Sequence, residues 1–463
     1  MSEAILGSRE EKRAFYKRTL RITFPIAMQN LLDAAVSSAD VLMLSFVSQS
    51  ALSASSLAGQ IAFVLFNLVY GISSGAAVMA AQYWGKGDRR TVERVLGIAL
   101  RTALIISLLF TFAALLIPET LMRIFTDDPA LIAEGVVYLR WVSFSYFLGA
   151  FASVYLSVIR SAGRVRASAV IHSSAVFMNV FFNACFIFGL GPFPKLGIMG
   201  VALATSLTRL IEVGICLWDS THSTVLRLRL KDLLSRGGVL MRDFVHFALP
   251  AAANDIIWGL AFSVYSVILG HLSSDIVAAN SVASVVRNLG TAFCIGNAAS
   301  ASILLGNALG SNKLSEARVY ASRFIKLSVL TALAGGAGIL LLRPFVLDFM
   351  HLYVTVTDVV KSELNIMLFI NSYYILGTSL NTIFICGIFR SGGDVRYGLI
   401  CDTVAMWGYA VPVGLLCAFV FRLPEMWVYF ILCLDEFVKL PVNYLHYRKM
   451  KWLRNITRAD TGA

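Results

Sequence analysis

The chain is written twice, and no other feature constrains its fold as tightly. Residues of the first half recur in the second at a shift of 225 without a gap: Pro25 and Pro250, Leu44 and Leu269, Ala54 and Ala279, Gly71 and Gly296, Gly85 and Gly310. Further on, RSAGRVR (Arg160 to Arg166) returns as RSGGDVR (Arg390 to Arg396) at a shift of 230. Both copies consist of long apolar stretches, so the two halves should share one fold.

The solvent of that fold is lipid. Of 463 residues, 58% are hydrophobic and 14% charged, where a soluble domain carries roughly 25% charged residues. Crossing about 30 Å of hydrocarbon takes roughly 20 helical residues. Twelve stretches reach that length, near 22–47, 53–82, 93–117, 132–158, 167–189, 196–218, 244–270, 276–307, 317–342, 357–388, 397–421 and 425–447. The apolar runs are continuous rather than alternating, which argues against a β-barrel. The expected fold is all-α: a polytopic membrane protein with twelve transmembrane helices in two pseudo-symmetric six-helix lobes. Six is even, so both halves enter the membrane in one direction, related by a pseudo-two-fold axis along its normal. The expected domains are a lobe at 1–219, a basic linker at 220–241, and a second lobe with a basic tail at 242–463.

A net charge of +12 raises the question of nucleic acid, but its placement answers differently. Basic residues gather at the start (Lys12, Arg13, Lys17, Arg18), after the second apolar stretch (Lys86, Arg89, Arg90), between the halves (Arg227, Arg229, Lys231, Arg236, Arg242) and at the end (Arg448, Lys449, Lys451, Arg454). Such loops stay cytoplasmic during insertion, so both termini are expected to face the cytoplasm of a cell (inner or plasma) membrane. A nucleic-acid surface would concentrate them on one soluble face. The polar first twenty residues lack a cleavable signal. The seven cysteines form no CxxC pair and read as small core hydrophobes.

Several repeated features read as structural. Gly71 to Gly75 and Gly306 to Gly310 permit close helix approach. Pro25 and Pro250 each delete a backbone hydrogen bond and allow a bend. Arg160 and Arg390 stand at helix ends, where cations complement the dipole.

Ionisable groups at membrane depth cost roughly 2.5–3.5 kcal/mol on insertion scales, so they ask for a reason. The first apolar stretch holds Asp33 and Asp40, two helical turns and about 10 Å apart on one face; the seventh holds Asp255. At the 225 shift Asp40 meets Tyr265, Asp33 meets Trp258 and Asp255 meets Asn30. The scaffold is duplicated; the acids are not. Asn179 and Asn183, four apart, share a helix face, and Thr205 falls at a similar depth. With Asp40 they offer hard oxygens that suit sodium, or a carboxylate that alternates between protonated and ionised. The two asparagines could equally do no more than bond across helices.

Other buried charges are weaker leads. Arg287 could pair with one of these acids or attract anions, and Arg209 and Glu212 are spaced to satisfy each other. Asp402 lies close to Arg396 and reads as a structural pair with it. Asp435, Glu436 and Lys439 contain an i, i+4 pair that could face an aqueous vestibule. Lone histidines such as His172 and His271 have no metal-ligand spacing. Met28, Met43, Trp258, Tyr265 and Asn280, with Asp33 and Arg287, form the candidate lining of a plastic substrate cavity.

Absent motifs narrow the field. There is no GxxxxGK[ST] phosphate loop, no HExxH or GxSxG, and no TVGYG-like filter, which argues against an ATP-driven pump, an enzyme and a channel. No resident cofactor is expected. A duplicated membrane bundle is typical of secondary transporters, with binding sites near mid-membrane.

The opening FPIAMQNLLDAAVSSADVLMLSFVSQSALSASSLA and the stretch GISSGAAVMAAQYWGKGD resemble the multidrug and toxic compound extrusion (MATE) transporters. So do LPAAANDIIWGLAFSVYSVILGHLSSDIVAANSV, GNALGSNKLSEA and FRSGGD, and the resemblance runs from about Arg18 to Tyr447. It implies secondary active antiport by alternating access, exporting bulky amphiphilic or cationic organic compounds against H+ or Na+. The working unit is expected to be a monomer whose partners are those small compounds and membrane lipid. By the same resemblance Asp40 is linked to ion coupling together with Asn179 and Asn183. Asp255 takes a place where glutamate is more usual, and Ser379 one where some relatives carry an acid. The alternative on a related scaffold is a flippase for a lipid-linked oligosaccharide, which would need a cationic cavity.

Overall fold

Among the described residues all regular structure is helical. The computed structural model describes residues 8–45, 47–235, 237–353 and 357–458, with side chains at all of these except 37–42, 45, 274 and 349–353. The first half runs through α1 (Arg9–Ser45), α2 (Gln49–Lys86), α3 (Arg89–Leu116), the short α4 (Pro118–Arg123), α5 (Pro129–Val142), α6 (Phe144–Ser161), α7 (Val165–Phe188) and α8 (Ile198–His222). After α9 (Leu230–Leu234) the second half runs through α10 (Gly238–Leu272), α11 (Ser274–Gly310), α12 (Leu314–Tyr353), α13 (Asp358–Thr382), α14 (Val395–Asp402), α15 (Val411–Leu415), α16 (Glu425–Leu432) and α17 (Asp435–Arg448). π-helical turns at Ile383–Phe389, Thr403–Ala410 and Leu416–Val420 continue α13, α14 and α15.

Ten helical spans among the described residues are long and apolar enough to cross a membrane. The remaining two of the expected twelve have visible reasons for standing apart. Helix α1, 37 residues long, carries the two aspartates. The last span is divided at Cys433 and Leu434 into α16 and α17, each too short to cross alone. Large apolar side chains such as Leu109, Phe112, Leu116, Leu341 and Phe345 stay exposed, as lipid-facing helix surfaces do.

The repeat reaches the helix caps. The Ser48 hydroxyl accepts from the Ala51 amide at 2.9 Å to start α2, and its repeat mate Ser273 accepts from the Ile276 amide at 3.2 Å to start α11. Both satisfy a backbone donor that the first helical turn leaves open.

The chain forms two compact units. One takes the chain up to Met28 together with Ala253–Thr457; the other takes Gln29–Ala252 and continues from Arg458. These borders differ from the linker cut at 220–241. Each leading helix passes unbroken through its proline, Pro25 in α1 and Pro250 in α10, and changes unit within three residues of it. Relative to the sequence halves, the units have exchanged the first segment of α1 and of α10.

Small residues make the exchange fit. A Cβ on Gly71 would lie 2.2 Å from the Cα of Ala252, and one on Gly75 2.5 Å from the Cα of Ala248, so the start of α10 packs backbone to backbone on α2. The repeat mates do the same in the other unit. A Cβ on Gly296 would lie 2.9 Å from the Thr23 carbonyl and 3.3 Å from the Ala27 nitrogen. Ser300, mate of Gly75, bonds Thr23, mate of Ala248, at 2.7 Å. Further down α1, Glu11 pairs with Arg323 at 2.6 Å, and Phe15 packs on Tyr320 and Phe324.

The linker docks on α3. Asp232, almost fully buried, receives both guanidinium nitrogens of Arg90 at 2.6 and 2.7 Å, and Glu93 accepts from the Arg227 amide at 3.0 Å.

Candidate functional site

Residues 29–252 hold two polar layers on α1, α7 and α8. The first is the one the sequence singles out. Asn183 donates to the Asn179 carbonyl oxygen at 3.2 Å, and Asn179 donates to the Thr205 hydroxyl at 3.5 Å. Thr205 in turn donates to the Val201 carbonyl at 3.0 Å, so it remains an acceptor toward Asn179. The four-residue spacing on α7 aligns the amides, and α8 brings the hydroxyl alongside. Asp40 stands on α1; its side chain lies outside the described residues. Nearby, Met43 packs against the buried cluster of Leu44, Ile187 and Val201.

The second layer was not legible. His172 lies between two carboxylates: Nε2 is 2.9 Å from Asp33 Oδ1, and Nδ1 is 3.2 Å from Glu212 Oε1. The other oxygen of Glu212 accepts from Arg209 at 2.5 Å, which bears out the expected Arg209–Glu212 pair. The Glu212 side chain has no exposed surface and that of His172 17%, while 45% of the Asp33 side chain is exposed. The histidine set aside for lacking metal-ligand spacing thus joins three helices. One signal was available: Asp33, His172 and Glu212 each stand seven residues from Asp40, Asn179 and Thr205. Two helical turns, about 10 Å, therefore separate the layers on every helix.

In the unit containing residues 253–457, Asp255 is not an isolated charge. Its Oδ1 accepts from Arg390 at 2.9 Å, with both side chains largely buried. Arg390 therefore does more than complement a helix dipole. Asp402 does not pair with the adjacent Arg396 in the way the sequence suggested: it accepts from Lys439 at 3.1 Å and from Asn254 at 2.7 Å. Asp435, Glu436 and Lys439 do not face the aqueous vestibule the sequence suggested: all three are buried. Lys439 bonds Glu436 at 2.9 Å, three residues away, rather than Asp435 at i, i+4. Asn381 and Asn443 complete this network through 2.7 and 2.8 Å bonds. A hydrogen-bonded ammonium between two carboxylates is the arrangement that makes burying them tolerable.

The remaining candidates scatter. Arg287 makes no ion pair among the described residues; its guanidinium lies over the rings of Phe262 and Tyr374 at 5.9 and 5.8 Å. The Tyr265 hydroxyl reaches Asp435 at 3.4 Å. The Trp258 ring lies against that of Phe262, centroids 4.3 Å apart and planes tilted by 50°. Asn280 is half-buried on α11, and Met28 belongs to the unit of residues 253–457. Ser379, where an acid was looked for, bonds Ser328 at 2.7 Å.

A twice-written bundle of membrane-length helices with polar layers within each unit defines a multi-pass membrane transporter. The MatE family model matches residues 25–185 and 250–416, one match in each half. The chain belongs to the MatE family.

It is 23% identical over 464 residues to the uncharacterized transporter YisQ of Bacillus subtilis, covering 98% of this chain and 99% of that protein. With the probable multidrug resistance protein NorM of Thermotoga maritima it shares 22% identity over 447 residues, 96% of this chain and 94% of the relative. With the multidrug resistance protein PmpM of Pseudomonas aeruginosa the figures are 24% over 407 residues, 87% and 84%. Among solved structures, an outward-facing multidrug resistance MATE family transporter of the MOP superfamily superposes with a TM-score of 0.85 at 19% identity, covering 96% of this chain and 97% of that one. At such identity the likeness speaks for the fold.

Proposed function

We propose that this chain is a secondary active antiporter that exports bulky amphiphilic, often cationic organic compounds in exchange for H+ or Na+. The observation that carries the reading is the gathering of Asn179, Asn183 and Thr205 in one layer on helices beside the aspartates of α1. A carboxylate there serves a small cation or an organic cation in turn, and exclusive occupancy makes the two fluxes exchange. Asp40, Asn179, Asn183 and Thr205 form the coupling layer, and the first three are the ligands if the ion is sodium. Asp255 enters with Arg390 as its resident cation, so a visiting cation competes with a guanidinium. Asp33, Met28, Met43, Trp258, Tyr265, Asn280 and Arg287 are the proposed substrate contacts. The protein works as a monomer in the cell (inner) membrane with both termini cytoplasmic. The relatives named for multidrug resistance support the substrate class.

The flippase alternative asks for free cations in a cavity. Arg209 and Lys439 are committed to carboxylates and Arg287 to aromatic rings, so the described residues do not favour it.

The test is ethidium transport in proteoliposomes with proton and sodium gradients imposed separately. One gradient should drive it in wild type, and Asp40→Asn should abolish the driven component while the protein still folds into the membrane. Transport at wild-type rates in that variant would remove Asp40 from the mechanism, and ethidium movement responding to neither gradient would refute the antiporter.

A further inference from the structure

The cluster of His172 with Asp33 and Glu212 has a property that follows from counting protons. A neutral imidazole has one N–H and one bare nitrogen. Here both nitrogens face carboxylate oxygens, at 2.9 and 3.2 Å. Two hydrogen bonds need two bridging protons, and a neutral imidazole between two ionised carboxylates supplies one. The arrangement therefore holds an additional proton, on the imidazole or on one of the acids. The three groups are spaced for hydrogen bonds rather than around a common metal ion.

The two bridges are not equivalent. Glu212 has no exposed surface and is already compensated by Arg209 at 2.5 Å, so the Nδ1–H bridge is fixed. Asp33 keeps 45% of its side-chain surface exposed, so the Nε2 bridge is the end through which a proton can leave. The charged groups around the cluster are Asp33 from α1 and Glu212 and Arg209 from α8, and Arg160 of α6 and Arg209 both interact electrostatically with Asp33.

We propose that His172, Asp33 and Glu212 form a proton-exchange site of this transporter, distinct from the Asn179 layer two turns away, in which an organic cation arriving at Asp33 displaces the proton shared with His172. This rests on the exporter reading and deepens it by adding to the Asp40 layer a second site, at which the exchanged ion is a proton. The step balances. The Nε2 proton of the imidazolium passes to Asp33 and on to water, leaving a neutral imidazole with a bare Nε2 and its Nδ1–H still donated to Glu212. The freed carboxylate pairs with the organic cation, so one positive charge leaves and one arrives. Taking up the proton on the other side of the membrane reverses the exchange.

The experiment uses the full chain, with ethidium as the probe. In detergent, nitrogen-15 spectra of labelled histidine report each imidazole; the chain has six histidines, and His172→Gln identifies the signal. The expected result is an imidazole with both nitrogens protonated before ethidium, which becomes neutral as ethidium binds and a pH indicator records proton release. In proteoliposomes His172→Gln and Asp33→Asn should each remove most of the proton-driven component of ethidium transport. A neutral His172 without ethidium, with no proton released on binding, would overturn the inference. So would wild-type proton-driven transport in His172→Gln, or wild-type transport driven by sodium alone, both of which leave the exporter standing. If neither gradient drives wild type, the exporter reading falls, and the spectra still decide the protonation of the cluster.

Discussion

The pair formed by Asp255 and Arg390 makes a quantitative prediction because both partners are nearly out of water, with 16% and 5% of their side-chain surfaces exposed. Two unit charges about 4 Å apart attract by about 4 kcal/mol at an effective dielectric constant of about 20. Removing one member of a buried pair costs about 3–5 kcal/mol. Asp255→Asn takes its carboxylate away from a buried guanidinium. Arg390→Met strands a carboxylate whose Oδ2 is already buried without a hydrogen-bond partner among the described residues. Replacing both removes both charges, so the double variant should cost no more than either single one. That leaves a coupling of about 3 kcal/mol or more, at or above the top of the roughly 0.5–3 kcal/mol seen for residues in contact. Unfolding of the detergent-solubilised protein, followed by tryptophan fluorescence across the four variants, gives all the terms. If the single costs simply add, to within about 0.5 kcal/mol, the reasoning fails, and Asp255 is held by something other than Arg390.

Two further outcomes follow from packing and from the second buried network. Gly71→Ala should destabilise by about 1–3 kcal/mol through overpacking, because its Cβ would meet Ala252 at 2.2 Å; Gly59→Ala, with nothing within 4 Å, should be neutral or stabilising. The same unfolding assay compares the two, and equal effects would contradict the close approach. Lys439→Met should cost about 3–5 kcal/mol by leaving Asp402 and Glu436 uncompensated. Its measure is folded yield together with midpoint, and a variant as stable as wild type would show that the ammonium is dispensable.

Local spacing made part of this site readable. Asn179 and Asn183 share a face by helical period, and Arg209 with Glu212 pair for the same reason. The duplication was equally plain, because the glycines and caps that need a fixed backbone recur at one shift. The second layer hid because its members come from three helices, His172 being 139 residues from Asp33 and 40 from Glu212. Only the assembled bundle brings them together. Nearness in sequence misled where tertiary structure offered a better partner: Asp402 passes over Arg396 for Lys439 on α17, 37 residues further along the chain. The π-helical turns themselves leave no trace in an apolar pattern, since Leu, Val and Ala fit them and an α-helix alike.

The trading of leading segments bears on how such a chain came to exist and whether it can be divided. A gene split within the codons for 220–241 would yield two polypeptides, neither encoding all the parts of one unit. Made alone, each would leave its second helix with a bare glycine-bearing groove, complementary to the opening stretch of its counterpart. The same arrangement would result from joining end to end two identical subunits that had lent each other the opening segment of their first helix.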